Sequence, residues 1–196
     1  VGNRVPLTAY QSFKEEWEKC TRCELKDDRK NVVIAKGKIP CDVLFIGEAP
    51  GPSEDILGKP FKGPAGQLLD KIVTNALPAH LRLAYTNMVC CIPKDDDGAK
   101  VSQPPLDALI ECKPRLERFV EICKPKLIVC VGKLPKKWLE RGYKDNVKVA
   151  KDIEIVDIDH PSYILREGAA GLNMLCRRAE AIISSAAYDV FNKVES

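Results

Sequence analysis

Histidine is nearly missing from this chain: His80 and His160 are the only two among 196 residues. Zinc sites of mixed cysteine and histidine ligands are therefore hard to build. No apolar run approaches the ~18 residues that a membrane span needs, so no membrane association is expected. The opening "VGNRVPLTAY" has no apolar segment of the kind a secretory leader carries, and none is expected. Neither phosphate-loop order, G-x-x-x-x-G-K-[ST] or G-x-G-x-x-G, occurs. Charge of one sign is also lacking: the net charge is +3, which permits a nucleic-acid partner without arguing for one.

Cysteine, by contrast, is plentiful, with nine residues. The number is odd, and the chain is long and well patterned enough not to need a disulfide scaffold. That usage points to an intracellular, cytoplasmic protein with thiolates available for metal ligation, plus ordinary buried thiols. With 45% hydrophobic residues, residues 1–196 are expected to form a single domain around one core.

Four apolar, β-branched segments read as strands: "DVLFIG" (42–47), "LAYTNMVC" (83–90), "KLIVCVG" (126–132) and "IEIVDIDH" (153–160). Between the first three lie helical periodicities, "GQLLDKIVTNAL" and "LDALIECKPRLERFVEIC", the latter interrupted or bent at Pro114. Further helices are expected in "LTAYQSFKEEWEKC" and "NMLCRRAEAIISSAAYDVF". Continuous apolar strands imply burial on both faces. The expected fold is α/β, a three-layer α/β/α sandwich around a mainly parallel four-stranded sheet. Ligands of such sheets bind at the carboxyl ends of the strands. "GEAPG", the "TN" of the second strand and "HPSYILR" all fall there.

The segment Gly47–Asp70, "GEAPGPSEDILGKPFKGPAGQLLD", holds five glycines and four prolines. It could be a long connection with Ser53 capping a helix and Glu54 and Asp55 favouring its first turn. It could also be an amide nest for an anion, or a rigid wall for a flat ligand with Phe61 offering its ring. Asn87 is disfavoured within a strand, so its amide must be taken up by backbone or by a ligand. His160 ends a strand before Pro161, either as a structural corner or as a site residue. Cys20 and Cys23 in "CTRC" have metal-ligand spacing, and Cys91 and Cys112 could complete a set of four. Zinc and a 4Fe–4S cluster are not separated by that spacing.

Taken in order, these blocks resemble the family 4 uracil-DNA glycosylases over about residues 15–180. The carriers are Cys20/Cys23, Gly47–Asp70, "TNMVCCIP" (86–93), Cys112–Leu116 with Pro125–Gly132, and "HPSYILR" (160–166). The resemblance implies an enzyme of base excision repair that flips uracil out of single- or double-stranded DNA and hydrolyses its N-glycosidic bond. It implies Glu48 and His160 as catalytic residues, and Gly47, Ala49, Phe61 and Asn87 as the uracil site. Pro161, Ser162 and Arg166 would contact DNA. Cys20, Cys23, Cys91 and Cys112 would hold a structural 4Fe–4S cluster, in a protein expected to act as a monomer.

This chain departs from the family pattern in two places. Cys90 stands where the family usually has Lys. After "CIP", where the family commonly reads "NR.P", it carries "KDDDGAKVSQPP" with Gln103 before Pro104. Both departures also fit a second reading, a glycosylase-like DNA-binding or polymerase-associated protein without excision activity. A zinc or redox protein built on Cys20 and Cys23 is a third.

Overall fold

A computed structural model describes residues 8–95, 101–140 and 146–192. Its centre is a sheet of five strands: β1 (Lys36–Gly37), β2 (Val43–Gly47), β3 (Leu83–Asn87), β4 (Leu127–Val131) and β5 (Glu154–Ile158). Their order is β1-β3-β2-β4-β5. The last four run parallel, with Gly47 opposite Asn87, while β1 pairs antiparallel with β3. The three-layer expectation holds. The short edge strand β1 adds a fifth member, because two residues give no periodicity to read.

Every residue of β2 and β4 is buried, and their side chains alternate between two cores. Val43, Phe45, Leu127 and Val129 face helices α3 (Pro64–Ala76) and α7 (Ala169–Phe191). Leu44, Ile46, Ile128 and Cys130 face α1 (Ala9–Trp17) and α4 (Leu106–Cys123). Thr8 starts α1 with a capping box, its Oγ1 accepting from Gln11 N while Gln11 Oε1 accepts from Thr8 N. The helix then buries Phe13 against Phe119 of α4, ring centroids 5.6 Å apart.

Three local expectations change. Helix α4 runs through Pro114 without a break. The carbonyl that Pro114 deprives of a donor belongs to Ile110, which is exposed and can be hydrated. Gly51, not Ser53, precedes α2 (Pro52–Leu57), and Glu54 supplies the cap contact. Two short helices, α5 (Lys133–Leu139) and α6 (Pro161–Ile164), occupy stretches without helical periodicity. Most of the acidic stretch after Pro93, residues 96–100, lies outside the described residues.

Of the cysteines not assigned to a metal, Cys41, Cys123 and Cys130 are core residues. All nine thiols are unbridged. Among the described residues, no helix is long and apolar enough to cross a membrane.

Candidate active site

Five stretches of chain meet at the carboxyl ends of β2, β3 and β5. They enclose a cavity of about 610 Å³, lined among others by Glu48, Ala49, Phe61, Asn87, Gln103, His160, Ser162 and Arg166. That volume is ordinary for a small-ligand site. A second cavity of about 430 Å³ lies beside β5 and α5 and contains none of these residues.

Phe61 forms one wall, on the loop between α2 and α3. Its backbone has φ +54°, a left-handed conformation that a bulky residue adopts only when its surroundings impose it. Three neighbours do so here. Lys36 Nζ donates to the Phe61 carbonyl (2.9 Å). Gly66, in the first turn of α3, packs directly on the Phe61 backbone, and a methyl group there would lie 2.7 Å from Phe61 Cα. Tyr85 tilts against the ring at 5.9 Å. Opposite, Gly47 leaves room for both Phe61 and Asn87. A methyl group on Gly47 would meet the Asn87 carboxamide oxygen and come within 2.6 Å of Phe61 Cζ.

The acidic pair after Gly51 is the loop's brace. Glu54 Oε1 accepts from the amides of Lys62 (2.8 Å) and Gly63 (2.7 Å), and Oε2 accepts from Gly51 N (3.1 Å). Asp55, buried, accepts from the amides of Lys30 and Asn31 at 2.9–3.1 Å. One carboxylate thus closes the loop on itself, and the next ties it to the segment that follows the C-x-x-C turn. Sequence reading found only helix-terminal acids here. The Glu-Asp pair between two glycine-rich turns was the available signal.

Asn87 ends β3 and is 3% exposed. Among the described residues its carboxamide has no hydrogen-bond partner, so its donor and acceptor are left for the cavity. Glu48 follows β2. Burial raises its pKa above the usual carboxyl value, and it carries no ion pair among the described residues.

His160 caps α6, its Nδ1 accepting from Ser162 N (3.1 Å) with Ser162 Oγ at 2.7 Å. Because Nδ1 accepts from an amide, the proton of the neutral ring sits on Nε2. Burial first, then the nearby Arg166 charge, lowers the His160 pKa. The ring is therefore a neutral Nε2–H donor at pH 7. Ser162, assigned to DNA contact on resemblance, has this orienting contact as its own. Pro161 is buried at the first position of α6, while Tyr163 and Arg166 are exposed and line the cavity. Gln103, one of the departures from the family pattern, stands in the cavity wall.

On the α1/α4 side of the sheet, Cys20 and Cys23 occupy the turn after α1, Cys91 follows β3 and Cys112 lies on α4. All four belong to the core on that side of the sheet, Cys91 and Cys112 within it and Cys20 and Cys23 packed against it. Burial raises Cys23, with Cys112 and Cys20 adding to the effect. Burial pushes Cys91 up to about 11 against the opposing pull of Arg29, with Cys112 and Cys23 again raising it. Arg29 Nη1 donates to Cys91 Sγ (3.2 Å), and Nη2 donates to the Cys20 carbonyl. Cys90 feels Cys112, Cys91 and Cys20 and belongs to the same neighbourhood. Among the described residues, no three His, Cys, Asp or Glu side chains gather closely enough to hold a single metal ion. The four cysteines expected as ligands offer an all-sulfur donor set, of the kind that both zinc and iron–sulfur clusters use.

The class is thus an α/β/α sandwich whose ligand cavity lies at the strand ends, with a nearby group of thiols. The chain belongs to the uracil DNA glycosylase superfamily, whose profile matches residues 34–181. It is 36% identical over 136 residues to a type-4 uracil-DNA glycosylase of Saccharolobus solfataricus, covering 69% of this chain and 60% of that protein. A type-4 uracil-DNA glycosylase of Sulfurisphaera tokodaii is 34% identical over 134 residues, 68% of this chain and 59% of the relative. One from Thermotoga maritima is 29% identical over 160 residues, with 78% and 81% covered. The chain therefore spans about 60% of the length of the first two relatives.

Proposed function

We propose that this protein is a monofunctional uracil-DNA glycosylase that takes uracil out of the DNA stack and hydrolyses its N-glycosidic bond, leaving an abasic site. The observation that carries the reading is the meeting of Glu48, Phe61, Asn87 and His160, from four segments, in one cavity. The names of its relatives support the substrate.

An enzyme working on a base must first extrude it, then recognise its face and its edge. Phe61 supplies a face. The Asn87 carboxamide can donate to a uracil carbonyl oxygen and accept from the ring N–H. As the bond from the base to the sugar breaks, its electron pair moves onto the uracil ring and its carbonyl oxygen. The His160 Nε2–H would stabilise that charge as an oxyanion hole does. The Glu48 carboxylate faces the cationic sugar and takes the proton of the water whose oxygen bonds to it. Gly47 and Ala49 shape the pocket between these groups. Pro161, Ser162 and Arg166 lie on the segment that would meet DNA.

Cys20, Cys23, Cys91 and Cys112 would hold a 4Fe–4S cluster as a structural crosslink between the C-x-x-C turn, the end of β3 and α4. Nine unbridged thiols support a reducing, intracellular setting. The protein would act on DNA as a monomeric single domain. Purified protein should show visible absorption with iron and inorganic sulfide, and one zinc with no iron would contradict the cluster. The activity is tested by incubating the protein with a uracil-containing oligonucleotide, single-stranded and duplex, followed by alkali. Cleavage at uracil is expected. DNA that is bound but left intact would favour a binding protein without excision.

A further inference from the structure

Arg115 is 1% exposed, a guanidinium wholly inside the protein. It projects from α4 three residues, about one turn, after Cys112. Its Nη1 donates to Thr86 Oγ1 (3.0 Å), and its Nη2 donates to the carbonyls of Asn87 (2.6 Å) and Met88 (2.8 Å). Thr86 Oγ1 in turn donates to the Ile34 carbonyl (2.7 Å). Nε has no partner, and among the described residues no carboxylate pairs with the guanidinium.

A buried charge without a carboxylate partner is a poor way to pack a helix on a sheet, and an apolar side chain of similar volume commonly does so at no loss of stability. The guanidinium does what an apolar group cannot. At Asn87 the chain leaves the sheet, and the carbonyls of residues 87 and 88 need donors inside the protein. The planar fork of Arg115 meets both carbonyls and the Thr86 hydroxyl at once, which a single ammonium cannot reproduce in that geometry. The peptide so held carries the carboxamide that faces the cavity.

We infer that Arg115 is a positioning residue for base recognition: it locks the Asn87–Met88 backbone so that the Asn87 carboxamide presents one orientation to the base, and it anchors that lock on α4. The inference rests on the proposed uracil site. Arg115 touches no substrate and acts through Asn87. The helix that bears one thiol of the cysteine group thereby also holds the base reader.

The test compares wild type with Arg115→Met and Arg115→Lys. Four quantities are measured: single-turnover excision, inhibition by free uracil, affinity for an abasic duplex, and amide hydrogen exchange at Met88, whose N–H donates to the Gly47 carbonyl (2.8 Å). Losing the orientation of one base-reading amide should weaken uracil inhibition and slow excision by about tenfold or more, the worth of a well-made hydrogen bond. Abasic-duplex affinity, set by phosphate contacts, should stay within about threefold. Met88 exchange should quicken, and Arg115→Lys should fall between wild type and Arg115→Met. A merely structural arginine would lower thermal stability without separating uracil affinity from abasic-duplex affinity. Folded variants with unchanged uracil inhibition and unchanged Met88 exchange would overturn the inference. If Arg115→Met does not fold, Arg115→Lys decides on the same readouts. A wild-type protein that neither excises nor binds uracil would overturn the proposed function, and this role with it. An active wild type with unaffected variants would overturn this role alone.

Discussion

Gly47 and Phe61 pack against each other beside the cavity, with so little room between them that one methyl group on the glycine would come within 2.6 Å of the ring. The same methyl group would press on the Asn87 carboxamide. Phe61 cannot swing aside freely, because its backbone is held from behind by Lys36 and Gly66. Gly47→Ala should therefore reduce single-turnover excision by about 100-fold, as expected when an oriented site is displaced by a fraction of an ångström to an ångström. Affinity for abasic DNA should change little. Gly66→Ala should differ in kind. Its clash is with the Phe61 backbone, so the loss should be read first in thermal stability. Excision assays beside thermal melts of the two variants separate these outcomes.

Glu54 joins three amides of the same loop. Removing its carboxylate leaves those donors to water, since the loop is only partly buried. Glu54→Ala should cost about 1–3 kcal/mol of stability, the range for a charge-assisted hydrogen-bond group. Excision should fall with it, because Lys62 and Gly63 flank Phe61. Denaturant unfolding of Glu54→Ala and Glu54→Gln checks this. Glu54→Gln keeps one acceptor oxygen and should retain part of the stability.

The two cavity acids titrate towards each other. Burial raises Glu48 and lowers His160, and the mechanism needs a carboxylate and a neutral imidazole. Excision should be level from neutral pH upward and fall in acid as Glu48 and His160 take up protons. The stability sign for His160 is separate. Its folded pKa lies below the unfolded value of about 6.5, so as pH falls the unfolded chain protonates first and stability is lost. His160→Gln should narrow the drop in Tm between pH 7 and pH 5. A pH–rate profile and melts at the two pH values test both statements.

Asn87→Asp should shift base choice towards cytosine. A carboxylate cannot donate to a uracil oxygen, but it can accept from the exocyclic amine of cytosine. Excision from matched uracil and cytosine substrates measures the ratio, and an unchanged preference for uracil would remove Asn87 as base reader.

Much of this arrangement is legible in the residues. Continuous apolar strands gave the covered parallel sheet, and turn-rich or polar residues at three strand ends gave the cavity's location. What was not legible are contacts between segments distant in sequence. Nothing local marks Glu54 as a brace rather than a helix-terminal acid, because its partners Lys62 and Gly63 lie eight and nine residues on. Arg115 reads as one charge among several on a helix until Thr86 and the residue 87–88 carbonyls are seen beneath it. The continuity of α4 through Pro114 depends on Ile110 facing solvent, which periodicity alone does not settle. Local chemistry shows in sequence, and the company a side chain keeps does not.

The central claim is that Glu48 and His160 act on charge that develops as the glycosidic bond breaks. Single-turnover excision by wild type, Glu48→Ala and His160→Ala, measured beside abasic-duplex affinity, tests it most directly. Only interactions stronger in the transition state accelerate the chemical step, and loss of one such donor costs about 100- to 1,000-fold. Each variant should lose about that much rate while its DNA affinity stays within about tenfold. A folded His160→Ala protein that excises uracil at the wild-type rate would contradict the account.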